Sequence, residues 1–233
     1  MQIKKKREEC DHLSIFSGDF LANLPFLVIA LVIGFTVHEY AHAYVAYKFG
    51  DSTAAKQGRL TLNPASHLDP IGTILILIAG FGWARPVPVN RFNLRRPRLH
   101  SILVSVAGPL SNFVVAFIAT PFAILFMYFL GDSAVTTFFA QLFQTIVYLN
   151  VLLFVFNLIP LPPLDGYRII EDLVSPDIRA KMSQYEIYGP IIFIVLIVTP
   201  IGDYTIWPFL QGGIRTISVA FYTFYDSIFL LFL

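Results

Sequence analysis

Charge is scarce in this sequence. Aspartate, glutamate, lysine and arginine make up 13% of its 233 residues, against 56% hydrophobic ones. Soluble domains carry about 25% charged residues, so a surface wetted all round is excluded and a lipid bilayer is the fitting solvent. A basic excess is also missing: 16 lysines and arginines face 15 acidic residues, for a formal net charge of +1. That excludes the electrostatic footprint of a nucleic-acid binder. Cysteine is all but absent. Cys10 alone, in a polar amino-terminal stretch, permits neither a disulfide framework nor a cysteine-built metal site within one chain. Any bound metal must therefore be held by histidine and carboxylate.

What the sequence has in plenty is long apolar runs, at 24–37, 102–130, 138–159 and 191–201, several near the ~20 residues a spanning helix needs. They predict an all-α polytopic membrane protein. The first helix is expected from Leu21 to Phe49, with Gly50 at its terminus. Two more spans are expected over 101–130 and 138–158, the former lined by the small residues Ala107, Gly108, Ser111 and Ala116 that allow close helix approach. Further apolar helices follow at 188–201 and 206–233. Residues 71–79 are too short to cross and read as re-entrant, and Gly58–Leu62 reads as a short strand. Pro86, Pro88 and Pro97 forbid helix over 85–100, where Val87–Asn90 is expected as an extended edge strand. Lys4, Lys5, Lys6 and Arg7 imitate the start of a signal peptide, but no small-residue cleavage site follows, so a retained helix is expected. The division is a polar tail, 1–20, and one membrane-embedded domain, 21–233.

With 71–81 re-entrant, residues 48–100 and 161–186 share one face. That face holds Lys48, Lys56, Arg59, Arg85, Arg91, Arg95, Arg96, Arg98, Arg168, Arg179 and Lys181, while the turns 131–137 and 202–206 hold no basic residue. The bias puts the first face in the cytoplasm. The amino-terminal basic cluster counts the other way.

The run His38-Glu39-Tyr40-Ala41-His42 sets two imidazoles at i and i+4 on one helix face, with a carboxylate beside the first. This arrangement suits zinc. Two neutral imidazoles and a third protein ligand hold the ion, a water fills the open position, and Glu39 serves as general base. Histidines and a glutamate also occur as hydrogen-bonding glue between helices. Each ionisable group in a span costs about 2.5–3.5 kcal/mol on insertion scales, however, so three titratable residues in five call for a compensating role. The candidates for third ligand are Asp165, Asp69, His67 and Glu171. Asp165 stands out because it follows the proline-broken end of a span, at Pro160, Pro162 and Pro163, and precedes Gly166, where the backbone can turn a carboxylate inward.

Three segments together, His38–His42, Gly108-Pro109-Leu110-Ser111-Asn112 and Asn157-Leu158-Ile159-Pro160-Leu161-Pro162-Pro163-Leu164-Asp165-Gly166, resemble the site-2 protease family of intramembrane metalloproteases. The resemblance covers 38–166. It implies a three-helix catalytic core, about 21–166, within about five to six transmembrane helices, followed after the first helix by the re-entrant or strand-like segment. It further implies one Zn2+ per chain on His38, His42 and Asp165, Glu39 as base, and cleavage of a substrate's transmembrane segment. Asn157 matches a position that contacts substrate or oxyanion, although its place at a helix end equally suits a cap. The segment 62–72 looks like that of compact bacterial and archaeal members, with His67 placed near the metal or in a loop network. No PDZ-like or CBS-like insertion is apparent, which points to a compact enzyme in a bacterial or archaeal cell membrane with its site open to the cytoplasm. The competing readings of the same ligands are a membrane zinc carrier and an inactive scaffold that binds membrane helices. The roles of Asn112 and of the carboxy-terminal helix stay open.

Overall fold

The computed structural model describes residues 20–79, 82–131 and 133–231; the polar tail up to residue 19 lies outside them. The first helix, α1, runs Phe20–Lys48 and stops where Gly50 takes a φ of 111°, a conformation that favours glycine. A single turn, α2 (Thr53–Lys56), and a short helix, α3 (Pro70–Ala79), follow. At ten residues α3 reaches about 15 Å, half of the ~30 Å hydrocarbon core, so it cannot cross. α4 (Pro97–Ile124) starts on a proline at its first position, which costs the helix no hydrogen bond, and continues through a π turn over Leu125–Phe129. α5 (Ala134–Asn157) begins on a capping box in which Ser133 and Thr136 satisfy each other's backbone amides. The polar stretch after α5 is helical too, as α6 (Asp165–Leu173) and α7 (Pro176–Tyr185). α8 (Gly189–Val198), the turn α9 (Ile201–Tyr204) and α10 (Ile206–Phe229) complete the chain.

Among the described residues, three helices are long and apolar enough to cross a membrane: Ala22–Lys48, Pro97–Phe129 and Ala134–Asn157. This is a helical membrane protein. Three is fewer than the five to six expected, because α8 is too short and α10 intersperses Gln211, Arg215, Asp226 and several glycine and hydroxyl residues among its apolar ones. The expected strands do not form among the described residues. Leu68 and Ala84 make one isolated antiparallel bridge, and the prolines at 86 and 88 leave the segment beyond it without the amides a ladder needs.

α1, α4 and α5 pack as a three-helix bundle, and α10 lies against α4 and α5. Leu27, Ala30 and Leu31 of α1 meet Ala116 and Ala119 of α4 and Ile146, Val147 and Val151 of α5 in one core. Lipid is as apolar as these side chains, so close fit rather than water exclusion holds such helices together, which explains fully buried alanines at the contacts. α10 is fastened by Phe221, whose ring meets Phe113 and Phe117 edge to face.

Candidate metal centre

His38 and His42 lie one turn apart on the bundle side of α1, both buried, their rings edge to face with centroids 4.6 Å apart. Asp165 comes from beyond the carboxy-terminal end of α5. Pro160, Pro162 and Pro163 stop α5, and the chain crosses 158–164 without a helix. Asp165 was expected within that irregular stretch; instead it opens α6, which fixes its direction. Glycine follows it for a steric reason. A Cβ on residue 166 would lie 2.3 Å from the Leu158 carbonyl oxygen, so only glycine lets α6 pack on the unwound end of α5.

The two helices bring three ligand atoms together. His38 Nε2 is 3.0 Å from His42 Nε2, and Asp165 Oδ2 lies 3.1 Å and 3.3 Å from the two nitrogens. Ligand atoms around a tetrahedral ion with bonds of about 2.0–2.1 Å are separated by about 3.3 Å. The other candidate third ligands are engaged elsewhere. Asp69 Oδ1 accepts from the Gly72 amide, the His67 ring donates to the Thr61 carbonyl, and Glu171 pairs with Arg168 and Arg179. His67 thus belongs to a loop network.

The protonation pattern tests whether a cation fits. His42 Nδ1 is 2.7 Å from the Val104 carbonyl, an acceptor only, so Nδ1 carries a hydrogen and, in the neutral imidazole that a metal binds, Nε2 keeps its lone pair. His38 Nδ1 stands 2.7 Å from Asn112 Oδ1 in the same relation. Two lone pairs and a carboxylate oxygen that no donor reaches therefore face one another in a buried space. Such a set repels itself unless a cation joins it. The floor of the space is Gly108 of α4, where a Cβ would sit 2.3 Å from His42 Nε2 and 2.6 Å from His38 Nε2. The small-residue patch in α4 thus makes room for the centre as well as for helix packing.

Glu39 is buried beside the ligands, and its Oε2 accepts a hydrogen bond of 2.8 Å from the Val87 amide. The extended segment around Val87 is strapped down from below. The Arg85 amide donates to the His67 carbonyl at 2.8 Å, buried Arg59 donates to the Arg85 carbonyl, and the Asn90 amide donates to Asp51 Oδ2 at 2.6 Å. Pro86 and Pro88 offer no amides, so Val87, between them, is the residue free to donate to Glu39.

Asp51 anchors this strap. Burial opposes its charge, but four hydrogen bonds, from the Thr53 hydroxyl and amide, the Asn93 side chain and the Asn90 amide, outweigh burial and hold the carboxyl below its usual range. Asp51→Asn exchanges an acceptor for a donor, leaves buried partners unpaired, and should cost about 1–3 kcal/mol. Because the folded carboxyl is depressed, the difference from wild type should be complete above the ordinary carboxylate pKa, about 3.9, and should close as pH falls through the lower folded value. Thermal unfolding in detergent, stepped from neutral to acid pH, measures both; a difference that grows in acid contradicts the assignment.

A cavity of about 990 Å³ opens over the centre. It is lined by His38, Glu39, His42 and Asp165, by Trp83 and Val87 of the strap, and at its rim by charged residues. At that rim Arg91 pairs with Asp172, Arg179 lies within ion-pair distance of Glu171 and Asp172, and Arg168 joins Glu171 to Glu186. Asn157 also lines the cavity, but its Nδ2 donates to the Leu153 carbonyl at 2.9 Å, four residues back on its own helix. In this structure its side chain bonds back onto the last turn of α5.

Apolar spans around a two-histidine, one-carboxylate cluster, with a glutamate next to the first histidine and a wettable cavity above, fit the class of membrane metallohydrolases. The comparisons with known proteins narrow the class. Residues 119–199, which include Asn157 and Asp165, match Peptidase family M50. The Bacillus subtilis (strain 168) protein named "Putative zinc metalloprotease YwhC" is 59% identical over 204 residues, covering 86% of this chain and 93% of that protein. Rip2 of Mycolicibacterium smegmatis, carrying the same designation, is 31% identical over 180 residues, 75% of this chain and 67% of that protein. MJ0611 of Methanocaldococcus jannaschii, again so designated, is 29% identical over 162 residues, 67% of this chain and 76% of that protein. No solved structure matches the chain significantly. The chain belongs to peptidase family M50, the site-2 protease family, and is a metalloprotease.

Proposed function

We propose that this protein is a zinc-dependent intramembrane endopeptidase of a bacterial or archaeal cell membrane, with His38, His42 and Asp165 holding one Zn2+ per chain and Glu39 acting as general base. The observation that carries the reading is the convergence of three ligand atoms within 3.3 Å of one another beside a buried glutamate. Zinc bound there supplies Lewis acidity, polarising a peptide carbonyl and lowering the pKa of water towards ~7.

The chain's own residues do the rest. Val87 holds one carboxylate oxygen of Glu39, which leaves the other to take the attacking water's proton and pass it to the leaving amine. Asn157 lines the cavity within the same wall, and the proposed contact with the substrate main chain requires its amide to exchange the Leu153 carbonyl for the substrate. The charged rim admits water to an otherwise apolar bundle, and the eleven basic residues on that side orient it to the cytoplasm. The substrate is a transmembrane segment of a membrane protein. Its helix must unwind before a carbonyl is exposed to attack, so spans weakened by helix-breaking residues should be preferred. The membrane domain is 21–233, with its catalytic core at about 21–166.

The test is metal removal. Full-length protein reconstituted in lipid with a single-span substrate should cleave it, fall to background when a strong chelator strips the metal, and recover on adding Zn2+. Cleavage that persists in metal-free protein overturns the reading.

A further inference from the structure

The side-chain amide of Asn112 is nearly symmetric in shape, so packing alone does not decide whether it turns its oxygen or its nitrogen towards His38. The choice matters. Only the oxygen keeps the hydrogen on His38 Nδ1 and the lone pair on Nε2, where the metal needs it. We infer that Asn150, on α5, makes this choice together with the Gly34 carbonyl and is a positioning residue for the metal centre. The inference rests on the zinc reading above.

The direction is fixed by groups that only accept. Asn150 Nδ2 donates to the Ile146 carbonyl at 2.9 Å, so its Oδ1 faces the other way, towards Asn112. Asn112 Nδ2 donates to that oxygen at 2.9 Å and to the Gly34 carbonyl, on α1, at 3.0 Å. With both amide hydrogens spent, Asn112 Oδ1 is left to meet His38 Nδ1 at 2.7 Å. A flipped Asn112 would press its oxygen against two acceptors. Both asparagines are fully buried, where no water is at hand to rescue a wrong orientation. The spine runs α5 to α4 to α1, joining all three spans of the bundle in one directed path that ends on a metal ligand.

Hydrogen bonds of this kind also glue helices together, so the test must separate the two roles. Asn150→Leu removes one of the two acceptors that hold Asn112 and so favours its flipping. Asn150→Asp keeps an acceptor for Asn112. Full-length protein in detergent is stripped of metal and titrated with Zn2+ against a chromophoric chelator of known affinity. Asn150→Leu is expected to bind zinc about tenfold more weakly than wild type, at the lower end of the 10–100-fold losses typical when a residue behind a ligand is removed. Asn150→Asp should stay within about threefold of wild type by that same scale. If Asn150→Leu does not fold, Asn150→Val removes the same acceptor in a smaller side chain. Thermal unfolding of the metal-free proteins reads the glue separately. Wild-type zinc affinity in the acceptor-less variants overturns the relay and leaves the zinc reading standing. A wild-type protein that binds no zinc overturns that reading, and the relay with it.

Discussion

Glu39→Gln should leave the protein able to take up one zinc ion per chain while its cleavage of a membrane-spanning substrate falls by about 10²–10⁴-fold, the usual contribution of a positioned acid–base group. Glutamine matches glutamate in shape, and its carbonyl oxygen can accept the Val87 amide as Glu39 Oε2 does. The strap and the ligand set should therefore persist. What is lost is the basic oxygen. The amide nitrogen that replaces it takes up no proton, so attacking water is left without a base in a buried site. The measurement pairs zinc content with the cleavage rate of reconstituted protein. Zinc retained and cleavage lost fits the proposed role; unchanged cleavage removes Glu39 from the mechanism. Glu39→Ala is the less informative change because it also frees the Val87 amide, and any effect then mixes chemistry with a loosened strap. The same pair of measurements separates the protease from a zinc carrier, since a carrier that uses the ligands without hydrolysis should not depend on this oxygen.

The spans and the three residues of the candidate metal cluster were legible in the sequence because each depends on local pattern. Apolar runs of near-spanning length gave α1, α4 and α5, and the i, i+4 histidines needed only helical geometry to share a face. Asp165 was legible because prolines unwind a span in a way few other residues do, although the helix it begins was not read, since α6 is short and polar on one side. The expected strand at Val87–Asn90 failed for want of a partner: the prolines that exclude helix also remove the amides of a ladder. The groups that orient the site were hidden for a different reason. The Val104 carbonyl and the Val87 amide are backbone atoms, present at every position and distinguished only by what the fold brings near them. Asn150 did leave a signal, an amide amid the apolar run of α5, and the cost of burying it unpaired points to a partner. Arg59 and Asp51 carry no such signal in a polar stretch of sequence; their burial and hydrogen bonds show them holding the strap.

Gly108→Ala should empty the metal centre without unfolding the bundle. Alanine suits a helix interior better than glycine, by about 1 kcal/mol, so α4 itself has no reason to fail. The obstacle is the space in front of it. The added methyl would lie 2.3 Å from Nε2 and 2.5 Å from Cε1 of His42, and 2.6 Å from Nε2 of His38, distances no real contact adopts. One of the rings must move, and neither can move freely, since His42 is tied to Val104 and His38 to Asn112. Moving either breaks a buried hydrogen bond and pulls a lone pair away from Asp165. Zinc affinity is expected to fall by at least 100-fold, beyond the usual loss from disturbing a group behind a ligand, with cleavage at background and helix content unchanged by circular dichroism. Gly212→Ala is the matched control. Its Cβ would meet nothing within 4 Å in α10, so the same change of residue should leave zinc binding and cleavage as they are. If Gly108→Ala binds zinc like wild type, the ion does not sit between His38 and His42 above α4, and the ligand set must be redrawn.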